Sequence, residues 1–158
     1  LLSLSHGKES LSIGFWNVEN LFDLDNDPNK NDDEFSLGGR KGVNQEIYDL
    51  KIKHCTEVIS DLNVDILGLC EVENRKVLKD LINTKLLINS NYGIIHYDSK
   101  DERGVDVAML YKKKRFKPIH TKKYPLTFKR KDGSIDYTRD HLVISGYLDN
   151  DKIYLIIN

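Results

Sequence analysis

No stretch of this sequence is apolar for long enough to cross a bilayer as a helix, which leaves no membrane span to reckon with. Cysteine is scarce: only Cys55 and Cys70 are present, one in a helical pattern and one in a strand pattern. Two free, buried thiols are expected, and a disulfide requires the two elements to pack face to face. No Cys/His spacing of a zinc site occurs. Internal repeats and low-complexity blocks are lacking as well. So is an excess of either charge: the formal net charge is −1, which excludes a global positive field for nucleic acid. Residue 1 is leucine, not methionine, and "LLSLSHGKES" reads as a signal remnant, an artificial boundary or a disordered arm over residues 1–10, leaning toward export.

What remains is enough for one domain. The 158 residues are 39% apolar and 31% charged, the balance of a globular chain with a core. One basic strip stands out: "YKKKRFKPIHTKKY" places seven Lys and Arg residues between Tyr111 and Tyr124. It reads either as a solvated sheet edge, where lysines discourage aggregation, or as a polyanion-facing surface.

Periodicity predicts a buried strand from Leu11 to Asn17, followed by a long polar loop over residues 23–44. The loop's acidic cluster (Asp23, Asp25, Asp27, Asp32, Asp33, Glu34) lacks the ligand spacing and glycine of a calcium loop. A helix is expected from Gln45 to Leu62, with Ile47, Cys55, Val58, Ile59 and Leu62 on its apolar face and Thr56 opposite. "NVDILGLCE" then reads as a buried parallel strand. "NRKVLKDLINTKLL" reads as a second helix capped by Asn74, with Leu86 on its apolar face. Five β-rich segments follow, "NYGIIHYD", "GVDVAMLYK", "FKPIHTKKY", "DHLVISGYL" and "KIYLIIN", separated by "DSKDERG", "KRKDGSIDY" and a tight turn at "LDNDK". The fold class is a layered mixed α/β sandwich.

Two apolar runs end on polar residues, "GFWNVEN" on Asn17 and Glu19, and "DILGLCEVEN" on Glu71 and Glu73. Polar residues at the carboxyl ends of buried strands form sites, because the sheet holds them and the loops leave room for a ligand. If the strands are neighbours, an amide oxygen and a carboxylate converge, a pair of hard ligands that suits Mg²⁺. Taken singly, Asn is also a turn residue and Glu a helix cap.

"FWNVENLFD", "DILGLCEVEN", "DERGVDVAMLYK", "TRDHLVISGYL" and "KIYLIIN", in this order and spacing, resemble the endonuclease/exonuclease/phosphatase family, the deoxyribonuclease-like fold. The first two variants look most like those of bacterial members. The resemblance implies Glu71 as the principal metal ligand, Asn17 beside the metal and phosphate, and Glu19 close behind the metal. Arg139 then faces the scissile phosphate. Arg103, near Asp106, either contacts phosphate or is salt-bridged in its loop. Glu73 and Asn74 start the following helix. The implied reaction is hydrolysis of a phosphoester with Mg²⁺, or Mn²⁺ or Ca²⁺ in its place, on a nucleic acid, a lipid head group or a small phosphoester.

The family also uses a histidine-bearing loop, an Asp-x-Asn motif and a terminal Asp-His pair. None of these matches a segment here, and His6, His54, His96, His120 and His141 fall at other positions. The expectation is therefore the amino-terminal half of one domain over residues 11–158, nearly inactive alone. This half is expected to supply mainly one of the fold's two sheets, whose bare inner face favours a homo-oligomer. The alternative is a non-catalytic module that binds a polyanion or a protein partner on the same fold.

Overall fold

A computed structural model describes residues 10–158, so the arm expected over residues 1–10 lies outside them except for Ser10. Strand β1, Ile13–Leu21, runs parallel to β2, Ile66–Val72, and helix α1, Gln45–Leu62, makes the crossover. The helix begins where the Asn44 side chain accepts a hydrogen bond from the Ile47 N–H at 3.0 Å. It ends where Asn63 turns left-handed, at φ 44°, and its N–H closes on the Ile59 carbonyl. Its length is as predicted, but its buried stripe is rotated: Tyr48, Ile52, Cys55, Thr56 and Ile59 face the sheet, while Ile47, Val58 and Leu62 are exposed. Thr56 tolerates burial because its hydroxyl donates to the Ile52 carbonyl at 2.7 Å.

Helix α2, Arg75–Ile82, starts at Asn74 as expected, with the side-chain oxygen accepting from Lys76 and Val77. It stops at Ile82, short of the predicted end. Leu86 is exposed, and the chain passes through a 3₁₀ turn at Ile88–Ser90. Strands β3, Tyr92–His96, and β4, Asp106–Lys112, complete a four-stranded sheet in the order β1-β2-β4-β3. Both helices lie on one side of it, over a core that includes Leu67, Leu69, Ala108 and Leu110.

Strands β5, Phe116–Tyr124, β8, His141–Leu148, and β9, Asp151–Ile157, form a second sheet, antiparallel throughout. Between β5 and β8, "KRKDGSIDY" was expected to be a plain connection. It contributes instead to a two-stranded hairpin of β6, Thr127–Lys129, and β7, Ile135–Tyr137, turning at Gly133 with φ +89°. β5 is an edge strand. Three cations of its basic strip are tied down: Lys112 on the Asn63 carbonyl, Arg115 against Asp65 and Asp149, and Lys123 against Asp98 and Asp140. That is the pattern of a sheet edge secured to its own domain.

The expectation of mainly one sheet with a bare inner face is met only in part, because a three-stranded second sheet is present and covers part of that face. The two sheets pack together: Ile66, Cys70 and Met109 of the first meet Phe116, Leu142, Ile144 and Ile157 of the second in one buried cluster. The described residues thus contribute strands to both layers, because the chain crosses to the second sheet after β4 rather than extending the first. Apolar surface stays open on both sides: Ile13 and Phe15 of β1, aligned with Ile66 and Gly68 on the inter-sheet face, are 54% and 57% exposed, and Tyr154 and Ile156 on the outer side of the second sheet are 70% and 69% exposed. Cys55 and Cys70 are both free and buried, in the two different cores, so no disulfide links them.

Candidate metal and phosphate site

β1 does not end at Asn17. Its residues align with β2 from Ile13↔Ile66 to Asn17↔Cys70, slip out of register, and realign at Leu21↔Val72. Glu19 and Asn20 occupy the slip in left-handed conformation, at φ 53° and 61°. This explains why the sequence returns to apolar residues so soon: Leu21 is fully buried against β2 beyond an exposed bulge. The Asn17 side chain braces that bulge, its oxygen accepting the Glu19 N–H at 2.8 Å.

β2 carries a matching irregularity. Glu71 has φ 64°, and the pairing with β4 slips between Cys70 and Val72. Strict alternation would send Glu71 to the helix side of the sheet. The left-handed residue redirects it instead, and Glu71 Oε1 reaches Arg139 Nη1, just before β8, at 3.4 Å. Asn17 is aligned with Cys70, whose side chain belongs to the core between the sheets, so Asn17 shares the face toward which Glu71 turns. Non-glycine residues in this region are costly, and such strain concentrates at sites.

A second guanidinium stands close by. Arg103 is gripped by Asp101 through Nε–Oδ1 at 2.9 Å and Nη2–Oδ2 at 2.6 Å. Its pKa is raised mainly by the Asp101 hydrogen bond, with Asp101 and Glu71 adding electrostatically. Burial alone would push Asp101 up, yet the hydrogen bonds from Arg103 outweigh it and hold the carboxyl below its usual range. Of the two readings of Arg103, the salt-bridged loop is present. Asp106 is not its partner. It bonds His96 Nε2 at 3.0 Å and the Ser99 N–H at 2.7 Å.

The structure therefore brings together Glu71 and Arg139, with Arg103 in electrostatic reach. It places Asn17 at the neighbouring strand position and Glu19 on the bulge beside it. The donor set fits a hard cation in part. The Glu71 carboxylate makes one long bond and keeps lone pairs, and the exposed Glu19 carboxylate makes no hydrogen bond among the described residues. The Asn17 oxygen is already engaged by Glu19.

Sequence reading missed a second polar centre. A cavity of about 380 Å³ is lined by carboxylates that include Asp23, Asp25, Asp27, Glu73, Asp98 and Asp106. Asp23 is buried and bound by Asn74 and Lys76. Glu73 accepts the Asp23 N–H at 2.6 Å, and burial, reinforced by Asp23 and Asp32, pushes its pKa up to about 7. The signal was in the sequence as an acidic loop, but its spacing matched no known cage.

The family described as endonuclease/exonuclease/phosphatase matches residues 12–158, nearly the whole described chain. The chain belongs to this family. No protein of curated function matches it. Solved structures of similar fold include D. rerio TDP2 humanised by 14 mutations, with TM-score 0.57 at 14% identity over 92% of this chain and 45% of that one. Another is the mannosyl-6-phosphatase of Bacteroides thetaiotaomicron, with TM-score 0.56 at 14% identity over 93% of this chain and 50% of that one. A third is ANGEL2, a 2′,3′-cyclic phosphatase, with TM-score 0.50 at 17% identity over 69% and 31%. This endonuclease/exonuclease/phosphatase chain thus spans about half the length, or less, of the structures it matches. At these identities they show a shared fold, two facing sheets with helices on the outside.

Proposed function

We propose that this chain carries the metal- and phosphate-binding half of a phosphoester hydrolase. The observation that supports it most is the Glu71–Arg139 pair: a carboxylate turned by a left-handed residue toward the face it shares with Asn17, beside a guanidinium from the segment that leads into β8. Glu71 is the residue that would hold a divalent cation, with Glu19 on the neighbouring bulge as anionic support and Asn17 orienting the group bound there. When bound, Mg²⁺ supplies Lewis-acid polarisation of a phosphoryl oxygen.

The protein's own contribution is positioning and charge. Arg139 offers N–H donors to the phosphoryl oxygens, whose negative charge grows during displacement. Arg103, held rigid by Asp101, keeps a free edge of its guanidinium for the same group. Asn17 has an amide nitrogen left to donate to a phosphate oxygen or an attacking water. Activation of that water needs a base from outside this set, so the chain alone turns over slowly; proton transfer by a positioned side chain contributes about 10²–10⁴-fold. The phosphoester acted on is a DNA, cyclic-phosphate or sugar-phosphate ester, a reading supported by similar folds in a TDP2 bound to single-strand DNA product, a 2′,3′-cyclic phosphatase and a mannosyl-6-phosphatase.

The test is a panel of these phosphoesters incubated with the full-length protein, with and without Mg²⁺, alongside Glu71→Gln. Metal-dependent hydrolysis that Glu71→Gln abolishes supports the reading. Equal turnover by wild type and Glu71→Gln overturns it.

A further inference from the structure

His96 closes β3, and its side chain is only 3% exposed. Its Nε2 meets Asp106 Oδ2 at 3.0 Å, and Asp106 is itself anchored by the Ser99 N–H at 2.7 Å. The Nδ1 atom makes no hydrogen bond among the described residues. Asp98 Oδ1 lies 3.9 Å from it, on a carboxylate that is 83% exposed. Asp98 and Asp106 both line the acidic cavity, whereas Glu71, Asn17 and Arg139 do not. One ring nitrogen and one oxygen from each aspartate lie within 4.8 Å of one another.

We propose that His96 Nδ1 and the Asp98 carboxylate form a binding site for a divalent ion of borderline softness, such as Zn²⁺ or Co²⁺. The chemistry follows from the second nitrogen. A metal-bound histidine commonly donates its other ring N–H to a carboxylate, which fixes the tautomer and raises the ring's basicity. Asp106 does this for His96, leaving a lone pair on Nδ1. Zn–N and Zn–O bonds of about 2.0–2.2 Å put two ligands of one tetrahedral ion roughly 3.4 Å apart. The 3.9 Å gap therefore closes with a shift of about half an ångström, which an exposed side chain makes easily. Water fills the remaining positions. The surrounding carboxylates of the cavity raise the local cation concentration. An imidazole nitrogen selects against Mg²⁺ and Ca²⁺, which prefer oxygen alone. Lys123, which bonds the Asp98 backbone carbonyl, leaves the carboxylate itself available.

This site is independent of the phosphoester reading, and the experiment keeps the two apart. Zn²⁺ is titrated into the metal-free chain, and the histidine ring nitrogens are followed by long-range ¹H–¹⁵N NMR, with affinity from calorimetry. The expected result is a Zn²⁺-dependent shift of His96 Nδ1, kept in Glu71→Gln and weakened at least about tenfold in Asp98→Asn. Asp98 is exposed, so that variant folds, as its circular dichroism will show. Asp106→Asn should weaken the same site by about 10–100-fold, the usual effect of removing an outer carboxylate. A His96 ring that Zn²⁺ leaves unshifted, or binding unchanged in Asp98→Asn, overturns the proposal. Loss of the His96 shift in Glu71→Gln alone would assign the ion to the Glu71 centre instead.

Discussion

Glu71 and Arg139 stand 68 residues apart in sequence, yet Oε1 of one lies 3.4 Å from Nη1 of the other. Glu71 belongs to β2 of the first sheet, and Arg139 to the segment that leads into β8 of the second. The contact therefore reports the packing of the two layers, and it puts an anion and a cation where a metal ion and a phosphate would each seek a partner.

Arg139 competes with a metal ion for the same carboxylate. Arg139→Ala should bind Mg²⁺ or Mn²⁺ no more weakly than wild type in calorimetry of the isolated chain. In the full-length protein the same change should lower phosphoester turnover by about 10²–10³-fold, the usual effect of deleting one donor to a developing oxyanion. A loss of metal binding in the isolated chain would show that Arg139 only shapes the site.

Asp101 is buried and holds Arg103 by two hydrogen bonds from the guanidinium. Its carboxyl is held below the ordinary range, so the unfolded chain binds more protons and stability rises with pH through this window. The contribution is present above the unfolded carboxylate value of about 3.9 and is lost as pH falls through the lower folded value. Asp101→Asn should cost about 1.5–3 kcal/mol at neutral pH in urea unfolding. The difference from wild type should shrink as the pH is lowered. A gap independent of pH would remove the charge from the explanation.

Glu73 works in the opposite direction. Burial raises its pKa to about 7, so the folded chain holds a proton that the unfolded chain releases. Its effect on stability is unfavourable above the unfolded value of about 4.3 and grows until the folded value is passed. Metal-free protein should therefore lose stability between about pH 4.5 and 7, by an amount on the order of 3 kcal/mol from this group. Glu73→Gln keeps the acceptor for the Asp23 N–H and should flatten that slope, giving a higher Tm at pH 7. An unchanged pH profile would mean that the cavity solvates Glu73 well enough to ionise freely.

Gly146 lets the Phe116 ring approach the β8 backbone closely. A Cβ there would sit 2.5 Å from both that ring and the Lys117 carbonyl oxygen. The carbonyl is backbone and cannot swing away. Gly146→Ala should destabilise by about 1–3 kcal/mol, the usual effect of overpacking, and should loosen the contact between the sheets. Near-UV circular dichroism and thermal unfolding would register both.

Much of this architecture follows from local pattern. Helix α1 was readable to its ends because Asn44 and Asn63 cap it through hydrogen bonds that span only a turn. The main strands were readable because apolar runs between turn residues have few other uses. The expectation that Asn17 and Glu71 end their strands rested on the same local logic, but β1 runs on to Leu21 and β2 to Val72 past a bulge in each. Three things were not local. The face of α1 was misjudged because Ile47 and Val58 are as apolar as Ile52, and only the position of the sheet decides which of them is covered. The left-handed turn at Glu71 leaves no mark in composition, since it is sustained by neighbouring strands rather than by glycine. The His96–Asp106 bond depends on the register of a hairpin, and the acidic cavity on where a long loop settles.

Residue identities and their spacing by themselves determined that this chain makes a layered α/β domain with polar residues set into two neighbouring strands. Capping, alternation and turn chemistry act within a few residues, so they are written in the order of the amino acids. Only the tertiary structure decided that Glu71 faces Arg139, that both sheets come from these residues, and that His96 keeps a nitrogen free. Those outcomes depend on long-range packing and register, which no short window of sequence contains.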